Sequence, residues 1–200
     1  MIAGRAQEIT PFIVMDVLEK AHEMARKGAD IIHLEVGEPD FDTPDCVKAA
    51  AEKALRDGHT HYTHSLGLIE LREAVCAYYQ EQYGVFIDPG QVLVTAGTSP
   101  AMLVLFAALL ETDDEIILSD PHYACYPNFI RFFHGVPVAV PVEEADGFQF
   151  RTEAIREKIS ARTRAVFINS PSNPTGTLLS KERMRAIAEL SPLVISDEIY

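Results

Sequence analysis

RAVFINSPSNPTG (residues 164–176) and PLVISDEIY (residues 192–200) are the two stretches on which the fold turns. Each opens with a short apolar run and then breaks into polar or turn-forming residues. Apolar runs that do not alternate with polar residues predict strands buried on both faces. Residues 180–190 between them supply a helix-length interval, so the two runs predict a parallel strand–helix–strand unit. Past the ends of those strands stand an amide (Asn173), a carboxylate (Asp197) and a phenol (Tyr200). Parallel sheets hold ligands at their carboxyl ends, and these three groups suit the edge of a flat, polarisable heterocycle.

Working back from there, the same pattern starts at Gln91. QVLVTA (91–96), EIILS (115–119), PVAVPV (137–142), RAVFIN (164–169) and PLVIS (192–196) are five candidate strands, and residues 100–111, 123–134, 152–160 and 180–190 are the intervening helices. The helix from Pro100 is apolar on nearly every face, which predicts a place deep between the sheet and another layer or subunit. Earlier in the chain, Thr10 and Pro11 mark a helix start, with Val14, Val17, Leu18, Ala21 and Ala25 on one face and Gly28 at the end. Residues 31–36 are β-like, and the turn-rich GEPDFDTP leads to a second cap at Thr43 and Pro44. Val47, Ala50, Ala51, Ala54 and Leu55 form the inward stripe of that helix, and Leu71, Ala74, Val75 and Tyr78 that of a third helix, residues 68–83, closed by Gly84. No internal repeat or low-complexity linker interrupts the chain.

With 48% hydrophobic and 24% charged residues, the 200-residue chain is expected to be globular, with a substantial core and at most two domains. A net charge of −13 and a pI near 4.9 oppose nucleic-acid binding and adhesion to an anionic membrane. The longest apolar run, residues 101–110, is too short for a bilayer span, and no signal sequence precedes the first helix, so the expected location is cytoplasmic. Cys46, Cys76 and Cys125 lack CxxC spacing and are expected to be reduced thiols.

The turn AGTSP (96–100) joins a strand to a helix. With Ser99 as cap and Pro100 at the first helical position, free amides and the positive end of the helix dipole would converge beside Gly97, Thr98 and Ser99. A phosphate would sit well there, although Gly and Ser are also ordinary turn residues. GxGxxG and GxxxxGK[ST] are absent, which disfavours a nicotinamide or nucleoside-triphosphate loop. Asp197 reads either as a helix cap or, with a pyridine ring present, as the group holding the ring nitrogen protonated, so that the cation withdraws electrons from a substrate carbanion. Tyr200 and Asn173 would donate to the ring's phenolate oxygen, or serve structure alone. His59, His61 and His64 cluster in HTHYTH without carboxylate or thiol ligands at a metal-site spacing, so no metal is assigned. Ser170 and Ser172 lack a GxSxG elbow, His33 reads as a satisfied core residue, and KERMR from Lys181 as solvated surface.

Several stretches together resemble the class I/II aminotransferases, fold-type I enzymes dependent on pyridoxal 5′-phosphate (PLP). They are LEVGEPDFDTP at Leu34, YTHSLGLIELREAV at Tyr62, VTAGTSPA at Val94, PHYACYP at Pro121, NSPSNPTG at Asn169 and SDEIY at Ser196. The resemblance implies an α/β fold: a three-layer α/β/α large domain over residues 41–200, with a mostly parallel sheet incomplete at its C-terminus. Residues 1–40 would be a helical and extended segment of a small domain. It implies amino transfer between an amino acid and a 2-oxo acid in a homodimer. Gly37 would approach the substrate carboxylate; Gly97, Thr98 and Ser99 would take the cofactor phosphate, with Tyr62 reaching that of the other subunit. Tyr123 would stack on the ring, while Asn173, Asp197 and Tyr200 would take its edge, Asp197 and Tyr200 also acting in catalysis. The family's Schiff-base Lys and its carboxylate-binding Arg would lie beyond the SDEIY strand, so the chain is expected to be an N-terminal half, inactive alone. Two strands that follow SDEIY would lie between 91–96 and 164–169, leaving 91–96 without neighbours on one or both sides. A non-catalytic remnant or interaction module, or a PLP-dependent lyase or synthase, are the alternative readings.

Overall fold

The computed structural model describes residues 2–190 and 193–200. Its elements are α1 (Arg5–Glu8), α2 (Ile13–Arg26), α3 (Asp45–Arg56), α4 (Ile69–Tyr83), α5 (Thr98–Leu109), β1 (Glu115–Asp120), α6 (Tyr126–Phe132), β2 (Val136–Pro141), α7 (Thr152–Lys158), β3 (Thr163–Asn169), α8 (Lys181–Leu190) and β4 (Val194–Asp197). Pro192, the first residue of the expected PLVIS strand, lies outside the described residues. The four strands form one all-parallel sheet in the order β2-β1-β3-β4. Parallel neighbours need a crossover, and α6, α7 and α8 stand between successive strands in the chain.

The chain divides into two compact units, Met1–Asp16 with Met102–Tyr200, and Val17–Ala101. In the first, the strands' side chains alternate between two cores. Ile116, Leu118, Ala165 and Phe167 pack with Met102 and Phe106 of α5 and Tyr126 and Ile130 of α6. Ile117, Val140, Val166 and Ile168 pack with Phe150, Ile155 of α7 and Ile187 of α8. Buried apolar residues on both faces of β1 and β3 thus give a helix–sheet–helix sandwich, as the two-sided runs predict, whereas the edge strand β2 packs Val138 and Val140 into the second core only and leaves Ala139 exposed. Burying each large apolar side chain contributes about 1.5 to 3 kcal/mol. At the amino end of the sheet, Glu115 accepts from Arg162 Nη2 at 2.7 Å and from Ser160 Oγ at 2.5 Å. Arg164 Nε donates to Asp114 at 2.7 Å. These bonds tie the start of β1 to the segment entering β3, and both carboxyls lie below the usual carboxylate range. For Glu115 the main cause is Ser160, then Arg162; for Asp114 it is Arg164.

In the second unit, α4 ends at Gly84, whose φ of 66° is the left-handed cap expected there. The cap of α3 is Pro44 rather than Thr43. The expected strand at 91–96 does not form. A one-turn 3-10 helix, Pro89–Gln91, with a capping box at Asp88, precedes it, and the Val94 N–H donates to the Leu66 carbonyl at 3.0 Å without any ladder among the described residues. Gly67 opposite has a φ of 96°, and a Cβ there would come within 2.7 Å of Val94, so only glycine permits this approach. Buried Arg72 holds the same turn, donating to the carbonyls of Gly67 (3.2 Å) and Pro89 (2.8 Å). Residues 31–36 also lack a strand, and His33 is not a core residue: it is exposed, with Nδ1 2.6 Å from Glu35 Oε1.

The helical stripes expected to face inward are largely uncovered. Val17, Val47, Leu55, Leu71 and Tyr78 are exposed, and α5 buries Met102 and Phe106 while Leu103, Val104 and Leu105 face solvent. Periodicity reports which face needs a partner; it does not supply the partner. Among the described residues, no helix is long and apolar enough to cross a membrane.

Candidate active site

Parallel pairing of β3 with β4 sets Asn169 opposite Asp197 at the carboxyl end of the sheet. A lattice of short bonds surrounds that pair. The Asp197 carbonyl accepts from Asn169 Nδ2 at 3.0 Å and from the Ser170 N–H at 3.2 Å. Asn169 Oδ1 accepts the Asn173 N–H at 2.6 Å. The loop then closes on itself, with Ser172 N–H to Thr177 O at 2.9 Å and Gly176 N–H to Ser172 O at 2.7 Å. The sequence 169–176 is therefore a built turn that places Asn173 beside a strand end.

The Asp197 carboxylate projects toward α6, where Tyr126 Oη donates to its Oδ2 at 2.7 Å. Tyr126 is 3% exposed and rests on Phe167, with ring centroids 4.4 Å apart. Burial first, then the bond to Asp197, drives its phenol pKa up, so the hydroxyl remains a donor. Tyr123 meets Tyr126 edge-on at 5.3 Å, and Phe12 meets Tyr123 at 5.8 Å. The Tyr123 phenol is pushed up to about 12, by burial first, then by its hydrogen bond to Cys125, with a smaller contribution from the charge of Asp197. Tyr200 is 70% exposed at the chain end. Asn173, Asp197, Tyr200 and Tyr123 thus all belong to the same unit, on or next to the strand ends and α6.

Gly37, Tyr62, Gly97, Thr98 and Ser99 belong to the other unit. Gly97 has a φ of 98°, its carbonyl accepts from Thr95 Oγ1 at 2.7 Å, and nothing lies within 4 Å of where a Cβ would be. Because α5 starts at Thr98, Ser99 and Pro100 lie inside its first turn; Ser99 is not the cap and Pro100 is not the first helical residue. Gly97, Thr98 and Ser99 are exposed, and the first-turn amides of a helix have no intrahelical acceptors, so this turn has the donors an anion needs. Gly37 and Tyr62 are exposed as well. His64 serves its own turn, its Nδ1 accepting the Leu66 N–H at 3.1 Å.

Sequence reasoning missed two residues of this lattice. Tyr126 sits in the quoted PHYACYP stretch, but its partner is 71 positions away and no local signal announces it. Asn169 reads simply as a strand end, and only the strand register reveals that its amide faces another strand.

Residues 29–200 match the family model of aminotransferase class I and II. The chain belongs to that family. It is 41% identical over 203 aligned residues to a probable aspartate/prephenate aminotransferase of Aquifex aeolicus, with all of this chain and 52% of that protein covered. To a (5-formylfuran-3-yl)methyl phosphate transaminase of Methanocaldococcus jannaschii it is 38% identical, again over all of this chain and 52% of the relative. Among solved structures, the aspartate aminotransferase of Thermus thermophilus with maleate superposes with a TM-score of 0.96 at 40% identity, covering all of this chain and 53% of that one. The chain therefore spans about half the length of the curated relatives it matches. Its α/β fold with a parallel sheet is that part of the family fold.

Proposed function

We propose that this chain is the cofactor-binding first half of a PLP-dependent aminotransferase that moves an amino group between an amino acid and a 2-oxo acid, and that aspartate, named for several relatives, is the first substrate to test. The observation that carries the reading is the Asp197 carboxylate at the end of β4, held by the Tyr126 phenol and paired in register with Asn169.

The donor set fits PLP. Asp197 is an acceptor for a protonated pyridine nitrogen, the Asn173 side-chain amide and the Tyr200 hydroxyl are donors for the ring's phenolate oxygen, and Tyr123 offers a ring face. Gly97, Thr98 and Ser99 offer amides and hydroxyls to the phosphate, Tyr62 offers its hydroxyl to the phosphate of a second subunit, and Gly37 a backbone approach to the substrate carboxylate. PLP, when bound, supplies the electron sink that stabilises a carbanion at the substrate's α carbon. The work of this chain is to hold the ring nitrogen's proton with Asp197, to keep Asp197 aimed through the Tyr126 donor, and to fix the ring plane against Tyr123. In this reading the enzyme is a cytoplasmic homodimer, residues 1–40 belong to a small domain and residues 41–200 to the large one.

A chimera tests the function: residues 1–200 joined to the remaining half of the Thermus thermophilus aspartate aminotransferase, assayed for amino transfer from aspartate to a 2-oxo acid. Activity is expected, and Asp197→Asn should lower turnover of the PLP-loaded chimera about 100-fold or more, equivalent to about 2.7 kcal/mol of barrier. The amide cannot hold the pyridinium, whereas phosphate and stacking contacts survive. A folded, PLP-loaded chimera without amino transfer, or with turnover unaffected by Asp197→Asn, contradicts the reading.

A further inference from the structure

We infer that Asn169 is a positioning residue whose side-chain amide fixes the distance between Asn173 and Asp197, the two groups assigned to different polar atoms of the cofactor ring's edge; this role rests on the PLP reading above. One planar amide makes both bonds. Its Oδ1 accepts the Asn173 N–H at 2.6 Å and its Nδ2 donates to the Asp197 carbonyl at 3.0 Å. The reverse orientation would set Nδ2 against an N–H and Oδ1 against a carbonyl, so both partners dictate the same orientation. The Asp197 carbonyl also accepts the Ser170 N–H at 3.2 Å, which makes the residue after Asn169 part of the same clamp. Register pairing of Asn169 with Asp197 anchors the amide on the sheet rather than on the loop.

The chemistry explains why an amide is needed. A carboxylate at 169 would keep the acceptor for Asn173 but set an oxygen against the Asp197 carbonyl. An aliphatic residue would serve neither partner. A Ser or Thr side chain is shorter and carries one oxygen, so it cannot reproduce an acceptor for the Asn173 N–H and a separate donor to the Asp197 carbonyl. The asparagine therefore couples a loop residue to a strand residue without touching the ring.

The test uses the 200-residue chain as wild type, Asn169→Ala, Asn169→Asp and Asp197→Asn. It reads amide hydrogen exchange at Asn173, PLP affinity, the absorption band of bound PLP and thermal stability. With stability matched to wild type, Asn169→Ala should exchange the Asn173 amide about tenfold faster and raise the Kd for PLP about tenfold with a displaced band. Asn169→Asp should restore protection of the Asn173 amide yet still displace the band, because only the Asp197 arm is broken. That split separates positioning from a general packing role, and Asn169→Asp carries the test alone where Asn169→Ala fails to fold. Unchanged Kd and band in the Asn169 variants, with both altered by Asp197→Asn, would overturn the positioning role and leave the PLP reading standing. No saturable PLP binding by wild type, or none affected by Asp197→Asn, would overturn that reading and this role with it.

Discussion

Tyr126 shows how the candidate site is held by a residue outside its predicted set. Its hydroxyl is the donor to Asp197 Oδ2, and its ring is buried on Phe167. Tyr126→Phe keeps the ring and deletes the donor, leaving a half-buried carboxylate with one bond fewer. We expect a loss of roughly 1 to 2 kcal/mol, read as a lower midpoint in denaturant with unchanged slope. An unchanged midpoint would mean that the bond contributes nothing to the fold. The places of Asp197 at a strand end and Asn173 in the turn just past one were legible in the sequence, because each follows an apolar run. Tyr126 and Asn169 were not, since their roles come from partners supplied by the register and the packing of α6.

At the scale of elements, the buried parallel strands were the most legible part, because apolar residues on both faces admit few other readings. QVLVTA has the same pattern and forms no ladder, because a strand is completed by lateral hydrogen bonds that its own residues cannot make. Amide exchange should therefore separate the two: Leu93 and Thr95, on either side of the Val94 N–H that bonds the Leu66 carbonyl, should exchange at least about a hundredfold faster than 116–118 and 165–168. Equal protection would show that 91–96 is paired after all. The amino end of the sheet makes a prediction in pH. Glu115 has its folded pKa depressed below the ordinary glutamate value of about 4.3. Its contribution to stability is fully present above that ordinary value and is lost as pH falls through the depressed one. Glu115→Gln should thus flatten the decline of stability below about pH 4.5, measured by denaturant titration across the acid range. An acid limb as steep as wild type would contradict the assignment.

On the scale of the whole molecule, the chain displays many large apolar side chains at its surface, among them Leu55, Phe86, Leu103 and Val104. Contiguous exposed apolar surface marks faces that associate with other protein. The stripe periodicity that made α3 and α4 legible as helices could not show that those faces stand open. Its lysines also bear on the central claim. Lys20 and Lys27 pair with Glu23, Lys48 with Asp45 and Lys53 with Asp57, all on or next to exposed helical faces, while Lys158 ends α7 and Lys181 begins α8. None belongs to the strand-end lattice around Asp197. The most direct measurement is titration of PLP into the purified chain, followed by borohydride reduction and mass analysis. The account predicts saturable binding that Asp197→Asn weakens and that gel filtration removes, with no specific pyridoxyl-lysine after reduction. Stoichiometric labelling of a single lysine, or no saturable binding, would contradict it.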